Sequence, residues 1–288
     1  MKSGYVSLVG KPNVGKSTLL NCLLKRKLAI ISSKPQTTRK RLLGILTEGN
    51  CQCYFLDTPG LLRPEYELQR LMVEQIRVAV RDADVVVYLV DPWFKSEDIQ
   101  IGFIRTLSKS PILCVINKID LVPKSQLLPI IDIIKDLDVQ EVIPVSALHG
   151  EGVDELKKTI FEYLPEGPFL FPEEDLSDSP ERFFAAELIR EKVFDFFKKE
   201  IPYATCVVIE EFKEREKGKD YIRALIYVER KSQKGILIGK NGEALKKIGV
   251  EARKEIEDFL GRQVFLELWV KVREKWRKDK KFLKGLGY

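Results

Sequence analysis

Short unbroken apolar runs alternate with stretches of helical period along residues 1–165. The runs Tyr5–Val9, Leu42–Thr47, Cys51–Leu56, Val85–Val90, Ile112–Ile116 and Val142–Val145 read as strands. Glu67–Val80, Asp98–Leu107, Leu127–Lys135 and Val153–Tyr163 read as amphipathic helices between them. Strands that are apolar along their whole length, and not only at alternate positions, are buried on both faces. The pattern predicts an α/β domain with a mainly parallel sheet, whose ligands lie beyond the C-terminal strand ends.

The pattern changes at Pro165-Glu166-Gly167-Pro168. A polar, acidic, proline-bounded stretch to Pro180 has the composition of a linker. The predicted division is residues 1–166, a linker at 167–180, and a second domain at 181–288. Ser179 is the expected N-cap of the next helix, with Pro180 at its first position. Its apolar positions are Phe183, Phe184, Leu188, Ile189, Val193, Phe196 and Phe197. Two strands, Thr205–Phe212 and Tyr221–Val228, flank a charged loop. Gly235–Ile238 leads into Gly239-Lys240-Asn241-Gly242, with Ile236 and Ile238 as packing anchors. A helix from Glu243 to about Leu260 and a strand from Gln263 to about Val272 complete an α+β unit.

Charge sharpens this division. The chain of 288 residues carries a net +6, and residues 181–288 hold 27 Lys+Arg against 19 Asp+Glu, a local +8. The first 180 residues are near neutral, so a polyanion partner is expected for the second half. Five scattered cysteines read as buried thiols, Cys51 and Cys53 sharing one strand face. One histidine, His149, reads as a surface residue and excludes triads or metal sites built on several histidines. No apolar run reaches the length of a membrane span, and no leader pattern precedes the first strand, so a cytoplasmic protein is expected.

The chemistry begins at Gly10-Lys11-Pro12-Asn13-Val14-Gly15-Lys16-Ser17-Thr18, between the first strand and a helix. Glycines there let several N–H groups converge on one anion, and the helix N-terminus adds partial positive charge. Lys16 would reach the β- and γ-phosphates, and the Ser17 hydroxyl would hold Mg²⁺. Asp57-Thr58-Pro59-Gly60 follows the third strand, where Asp57 can act in the second shell of that ion and the Gly60 N–H can touch a γ-phosphate. Asn117-Lys118-Ile119-Asp120 follows the fifth strand. Asp120 can accept from the N1 and N2 donors of guanine, which adenine lacks, while Asn117 braces the loop and the Lys118 stem covers the base. Ser146-Ala147-Leu148 follows the sixth, with the Ala147 N–H aimed at the guanine O6.

In this order the four motifs resemble those of translation-factor-class GTPases. The resemblance implies a switch segment at Pro35-Gln36-Thr37-Thr38-Arg39, in which Thr38 (Thr37 as alternative) contacts Mg²⁺ and senses the γ-phosphate. Leu61 stands where related enzymes carry the glutamine that orients the attacking water, so slow hydrolysis is expected. The subgroup with this replacement uses the residue matching Asn13 to help hold K⁺ near the phosphates. In the second half the frame around Gly239–Gly242 resembles a KH domain of the bacterial type. RNA contact is thereby assigned to Ile238, Gly239, Lys240, Asn241, Gly242 and Lys246. The basic tail adds Lys271, Arg273, Trp276 and Arg277.

The two halves together resemble the Era family of bacterial GTPases. That resemblance implies GTP or GDP with Mg²⁺ as ligands, the 3′ end of 16S rRNA and the 30S subunit as partners, and a role in 30S assembly. It further implies peripheral inner-membrane association; a monomer is expected. Two alternatives stand beside it: a GTPase acting on tRNA or large-subunit rRNA, and an RNA-binding protein in which nucleotide only stabilises the fold.

Overall fold

The computed structural model describes residues 1–94 and 100–288. The chain divides into two units, Met1–Pro64 with Gln69–Asp178, and Glu65–Leu68 with Ser179–Tyr288.

In the first unit the elements run β1 (Lys2–Gly10), α1 (Lys16–Leu24), β2 (Leu42–Glu48), β3 (Cys51–Asp57), α2 (Glu67–Arg81), β4 (Val85–Val90), α3 (Ile101–Leu107), β5 (Ile112–Ile116), α4 (Leu127–Lys135), β6 (Glu141–Pro144) and α5 (Val153–Tyr163). The sheet order is β2-β3-β1-β4-β5-β6. Among the described residues, only the β2–β3 pair of this sheet is antiparallel. Every residue of β4 and β5 is buried, as strands covered on both faces require. The beginning of the helix expected at Asp98–Leu107 lies outside the described residues.

The parallel register brings the motifs to one edge. Gly10 ends β1, Asp57 ends β3, and Asn117 follows β5. The Asn117 N–H donates to the Val90 carbonyl at 2.9 Å, and the Val145 N–H to that of Ile116 at 2.8 Å. Residues 165–178 are fastened to this unit. The Ile45 N–H donates to Leu176 O at 2.8 Å, the Ser177 hydroxyl to Leu43 O at 2.5 Å, and Gln52 Nε2 to Phe171 O at 2.9 Å. Phe171 packs edge-on against Tyr54. A strap of this kind covers the free side of β2, an edge strand that would otherwise expose unpaired backbone.

The second unit runs α6 (Glu181–Phe196), α7 (Ile201–Ala204), β7 (Cys206–Lys213), β8 (Asp220–Val228), α8 (Lys231–Ile238), α9 (Glu243–Leu260), β9 (Val264–Val272) and α10 (Lys280–Gly285). Its sheet order is β7-β8-β9, with β7–β8 antiparallel and β8–β9 parallel.

Three local expectations are corrected. Pro180 takes the cap position in extended backbone (ψ 154°) and Glu181 is the first helical residue, so Ser179 lies one residue further out. On α6, Phe194 is buried and Phe196 is exposed beneath the Lys247 ammonium. Ile236 is 51% exposed, whereas Leu237 is fully buried. Lys231–Ile238 is a helix, so Gln233 and Leu237, four residues apart, share the inward face.

Candidate active site and nucleic-acid interface

The loop between β1 and α1 turns on Gly10 (φ 156°), Asn13 (φ 65°) and Gly15 (φ 100°). A side chain at position 15 would place its Cβ 2.1 Å from Asn117 Nδ2, so only glycine lets the two loops meet. Asn117 joins three segments. Its Nδ2 donates to Val14 O at 2.7 Å and its Oδ1 accepts from the Ala147 N–H at 2.9 Å. The Ala147 N–H, expected at guanine O6, is the donor that braces Asn117 in this structure. Leu148 beside it is exposed.

A cavity of about 450 Å³ opens beside this loop. Its lining includes Pro12, Asn13, Gly15, Lys16, Ser17, Thr18, Gly60 and Lys118. It also includes Ile30–Ser33 and Gln36–Thr38, of which the sequence singled out only the latter. Nothing in the spacing of Ile30–Ser33 marks them, since their place depends on how the chain returns from α1 to β2.

Three oxygen-bearing groups converge at the mouth of α1. Ser17 Oγ donates to Asp57 Oδ2 at 2.7 Å and lies 2.8 Å from Thr38 Oγ1, which is 3.3 Å from the same carboxylate oxygen. Thr37 turns away and donates to Lys34 O at 2.7 Å, so Thr38 is the threonine at this centre. Asp57 is fully buried, and its Oδ1 has no hydrogen-bond partner among the described residues. A buried carboxylate oxygen left open beside two hydroxyls suits a hard divalent cation of the size and oxygen preference of Mg²⁺. Burial pushes the Asp57 carboxyl upward, opposed by the Ser17 bond and the Lys16 charge.

Lys16 Nζ donates to Gly10 O at 3.1 Å and Lys11 O at 2.9 Å. Thr58 donates to Leu8 O at 2.7 Å and anchors the turn from within. Gly60 lies against Pro12, where an added Cβ would stand 2.5 Å from the proline nitrogen. The Leu61 N–H donates to Gly10 O at 3.0 Å and its side chain is buried, so position 61 offers no group to polarise water. Asn13 Nδ2 donates to Ser33 O at 3.0 Å.

At the far end Asp120 Oδ1 accepts from Ser146 Oγ at 2.6 Å. His149 Nε2 stands 3.8 Å from Asp120 Oδ2, a neighbour the sequence reading placed on the surface without connecting it to the site.

In the second unit the Gly239–Gly242 turn joins α8 to α9. Gly239 (φ 74°), Asn241 (φ 53°) and Gly242 (φ 81°) are left-handed, and a Cβ at Gly239 would meet that of Ala244 at 2.7 Å. Lys240 and Asn241 are exposed. A groove of about 390 Å³ begins at Gly242 and runs between α9 and β9. Lys246, at which RNA contact is expected, lines it. Arg253, Val250 and Phe265 line it as well, and the sequence reading missed them. The helical stripe 242, 246, 249/250, 253 was the available signal.

The tail departs from expectation. Trp276 is 0% exposed, and its Nε1 donates to Ala204 O at 2.8 Å, so it is a core residue and cannot stack on a base. Arg277 pairs with Glu229 at 2.5 Å and Arg273 with Asp279 at 2.8 Å, while Lys271 is exposed.

Both halves of the chain match known protein families. Residues 5–118 match the model of the 50S ribosome-binding GTPase family, and residues 200–277 that of the KH domain. GTPase Era of Geotalea uraniireducens is 48% identical over 291 residues, covering 100% of this chain and 98% of that protein. The chain belongs to the Era family of GTPases. The crystal structure of an Aquifex aeolicus Era point variant bound to GDP·AlF4⁻ superimposes with a TM-score of 0.95 at 45% identity, covering 100% of this chain and 99% of that one. An Era in complex with MgGDPNP and nucleotides 1506–1542 of 16S ribosomal RNA matches with the same score at 46% identity, over the same shares.

As an Era-family member the chain is a GTP-hydrolysing enzyme, and its buried Lys16 should make nucleotide binding sensitive to pH. Burial lowers the Lys16 ammonium from its ordinary 10.5 to about 8, with Asp57 partly opposing. Bound phosphates favour the charged form and raise that value again. Binding therefore takes up protons near pH 8, about half a proton per nucleotide, and affinity falls as pH rises from 8 toward 10. Calorimetry at pH 8 in buffers of different ionisation enthalpy should show this uptake, and at pH 6 the Lys16 share should vanish.

Proposed function

We propose that this protein is a GTP-dependent switch that binds the 3′ end of 16S rRNA and acts in assembly of the small ribosomal subunit. The observation that carries the switch is the meeting of Thr38 with Ser17 and Asp57. Thr38 lies in the irregular stretch between α1 and β2, so a ligand that engages its hydroxyl together with Ser17 and Asp57 would fix the position of that loop. Ser17, Thr38 and Asp57 would hold Mg²⁺, which when bound neutralises charge on the phosphates. Lys16 and the loop N–H groups orient the phosphates, and Asp120 selects guanine.

The RNA half of the proposal is supported by the basic groove at Gly242, Lys246 and Arg253, and by the relative held with 16S rRNA nucleotides 1506–1542. In this reading a single strand crosses the Gly239–Gly242 turn, where no side chain keeps the backbone away. The site is a cytoplasmic one, as that partner requires.

Nucleotide and RNA affinities are then reciprocally coupled. Filter binding of a 16S 3′-end RNA should be about 5- to 100-fold tighter with a non-hydrolysable GTP analogue than with GDP. Equal affinity in the two states would leave the chain an RNA-binding protein with a structural nucleotide. Lys240→Ala with Lys246→Ala should weaken binding and lower the salt slope by about two.

Hydrolysis lacks a side chain at position 61 to place water, and K⁺ held at Asn13 is the proposed substitute. Turnover with bound RNA should be several-fold faster in K⁺ than in Na⁺, and Asn13→Ala should remove the difference. Identical turnover in the two salts would exclude this role.

A further inference from the structure

The sheet of the second unit has one face packed on helices and one face partly open. Ile222, Ala224 and Ile226 of β8, with Val264 and Val270 of β9, point inward and are buried. The register Tyr221↔Phe265, Arg223↔Glu267, Leu225↔Trp269 places the alternate residues of these strands on the other face. Towards the tail that face is covered, for Phe282 packs edge-on against Tyr227. Towards the start of β9 it is open. Phe265 is 56% exposed and Trp269 54%.

These rings are organised. Tyr221 and Phe265 stack with centroids 6.0 Å apart and planes 13° from parallel. The Arg223 and Arg215 guanidinium groups lie 5.6 and 5.9 Å from the Tyr221 ring centre. Trp269 Nε1 donates to Glu267 Oε1 at 2.8 Å, which fixes the indole. Phe265 and Trp269, four residues apart on one strand face, are separated by about 13 Å. Phe265 also lines the groove that begins at Gly242, so groove and open face meet at this residue.

We propose that this open face is a base-stacking platform for unpaired RNA: a strand held at the Gly239–Gly242 turn continues past Phe265 and stacks bases on Phe265 and Trp269. The inference rests on the RNA reading of the groove given above. Charged side chains separate the aromatic rings, and Glu211 and Glu267 are neutralised by Lys213 and Arg223. Protein interfaces are depleted of charge at their cores, whereas rings interleaved with arginine are the usual surface for single-stranded bases.

Tryptophan fluorescence in the full chain tests this. Trp93→Phe removes the other exposed indole, and Trp276 stays buried as an internal constant. Two RNAs are compared: a tetranucleotide, the length a glycine turn of this kind clamps, and a purine-containing strand of roughly twelve nucleotides. The longer strand should quench Trp269 and the tetranucleotide should not. Trp269→Ala should weaken the longer strand about 5- to 100-fold, leave the tetranucleotide unchanged and leave the salt slope unchanged. Trp269→Phe should restore most of the loss. Binding of the longer strand without quenching, or with affinity indifferent to Trp269→Ala, overturns the platform. If Lys240→Ala with Lys246→Ala weakens both lengths in that case, the groove reading stands alone. If neither RNA binds, the groove reading fails and the platform with it.

Discussion

Asp120→Asn should change which base the enzyme accepts. Ser146 Oγ donates to Asp120 Oδ1 at 2.6 Å, and asparagine keeps an oxygen there to accept that bond. Its other atom becomes an N–H donor facing the N1 and N2 donors of guanine. Two donors then oppose each other in a desolvated site, whereas a base with a carbonyl at that position, xanthine, finds a partner. Sites built on such bonds discriminate by about 10⁴-fold. The GTP-to-XTP affinity ratio should fall by roughly that factor, with little loss of thermal stability because the two side chains have the same shape. Titration with fluorescent GDP and XDP measures it, and an unchanged ratio would remove Asp120 from the base site.

Lys16→Ala should slow turnover by about 10²- to 10³-fold while leaving the sheet intact. The Lys16 ammonium is fixed at the phosphate end of the cavity by the Gly10 and Lys11 carbonyls, beside the buried Asp57. Without it, those carbonyls and the Asp57 carboxylate lose the cation beside them. Loss of one oriented charge of this kind lowers a rate by about 10²- to 10³-fold. Single-turnover hydrolysis in saturating nucleotide separates that loss from weaker binding. Lys16→Arg should not rescue, since the larger planar guanidinium does not fit a fully buried site between two carbonyls.

Much of the first unit could be read from the chain because its signals are local. Six apolar runs became six strands, and four motifs fell at strand ends because a parallel sheet sends every loop of that kind to one edge. Gly10, Gly15, Gly239 and Gly242 were legible for a similar reason: each adopts a positive φ that side chains rarely accept. The tail was misread. Trp269 and Trp276 are alike in the sequence, both aromatic and set among lysines and arginines. One is half exposed on a strand, and the other is bonded to a carbonyl 72 residues earlier. Charge and composition cannot separate them, because burial there depends on what the chain folds against.

The amino-acid sequence by itself determined the order of elements, the Gly10–Ser17 loop, the Asn117–Asp120 loop and the glycine turn of the second unit. Spacing along a strand or helix suffices for those. Tertiary structure decided that Thr38 joins Ser17 and Asp57 while Thr37 turns away, and that one Asp57 oxygen is left open for a cation. It also strapped residues 165–178 along β2, buried Trp276, and laid Tyr221, Phe265 and Trp269 on one open face. These depend on contacts between residues distant in the chain, whose energies appear only when packing has brought them together.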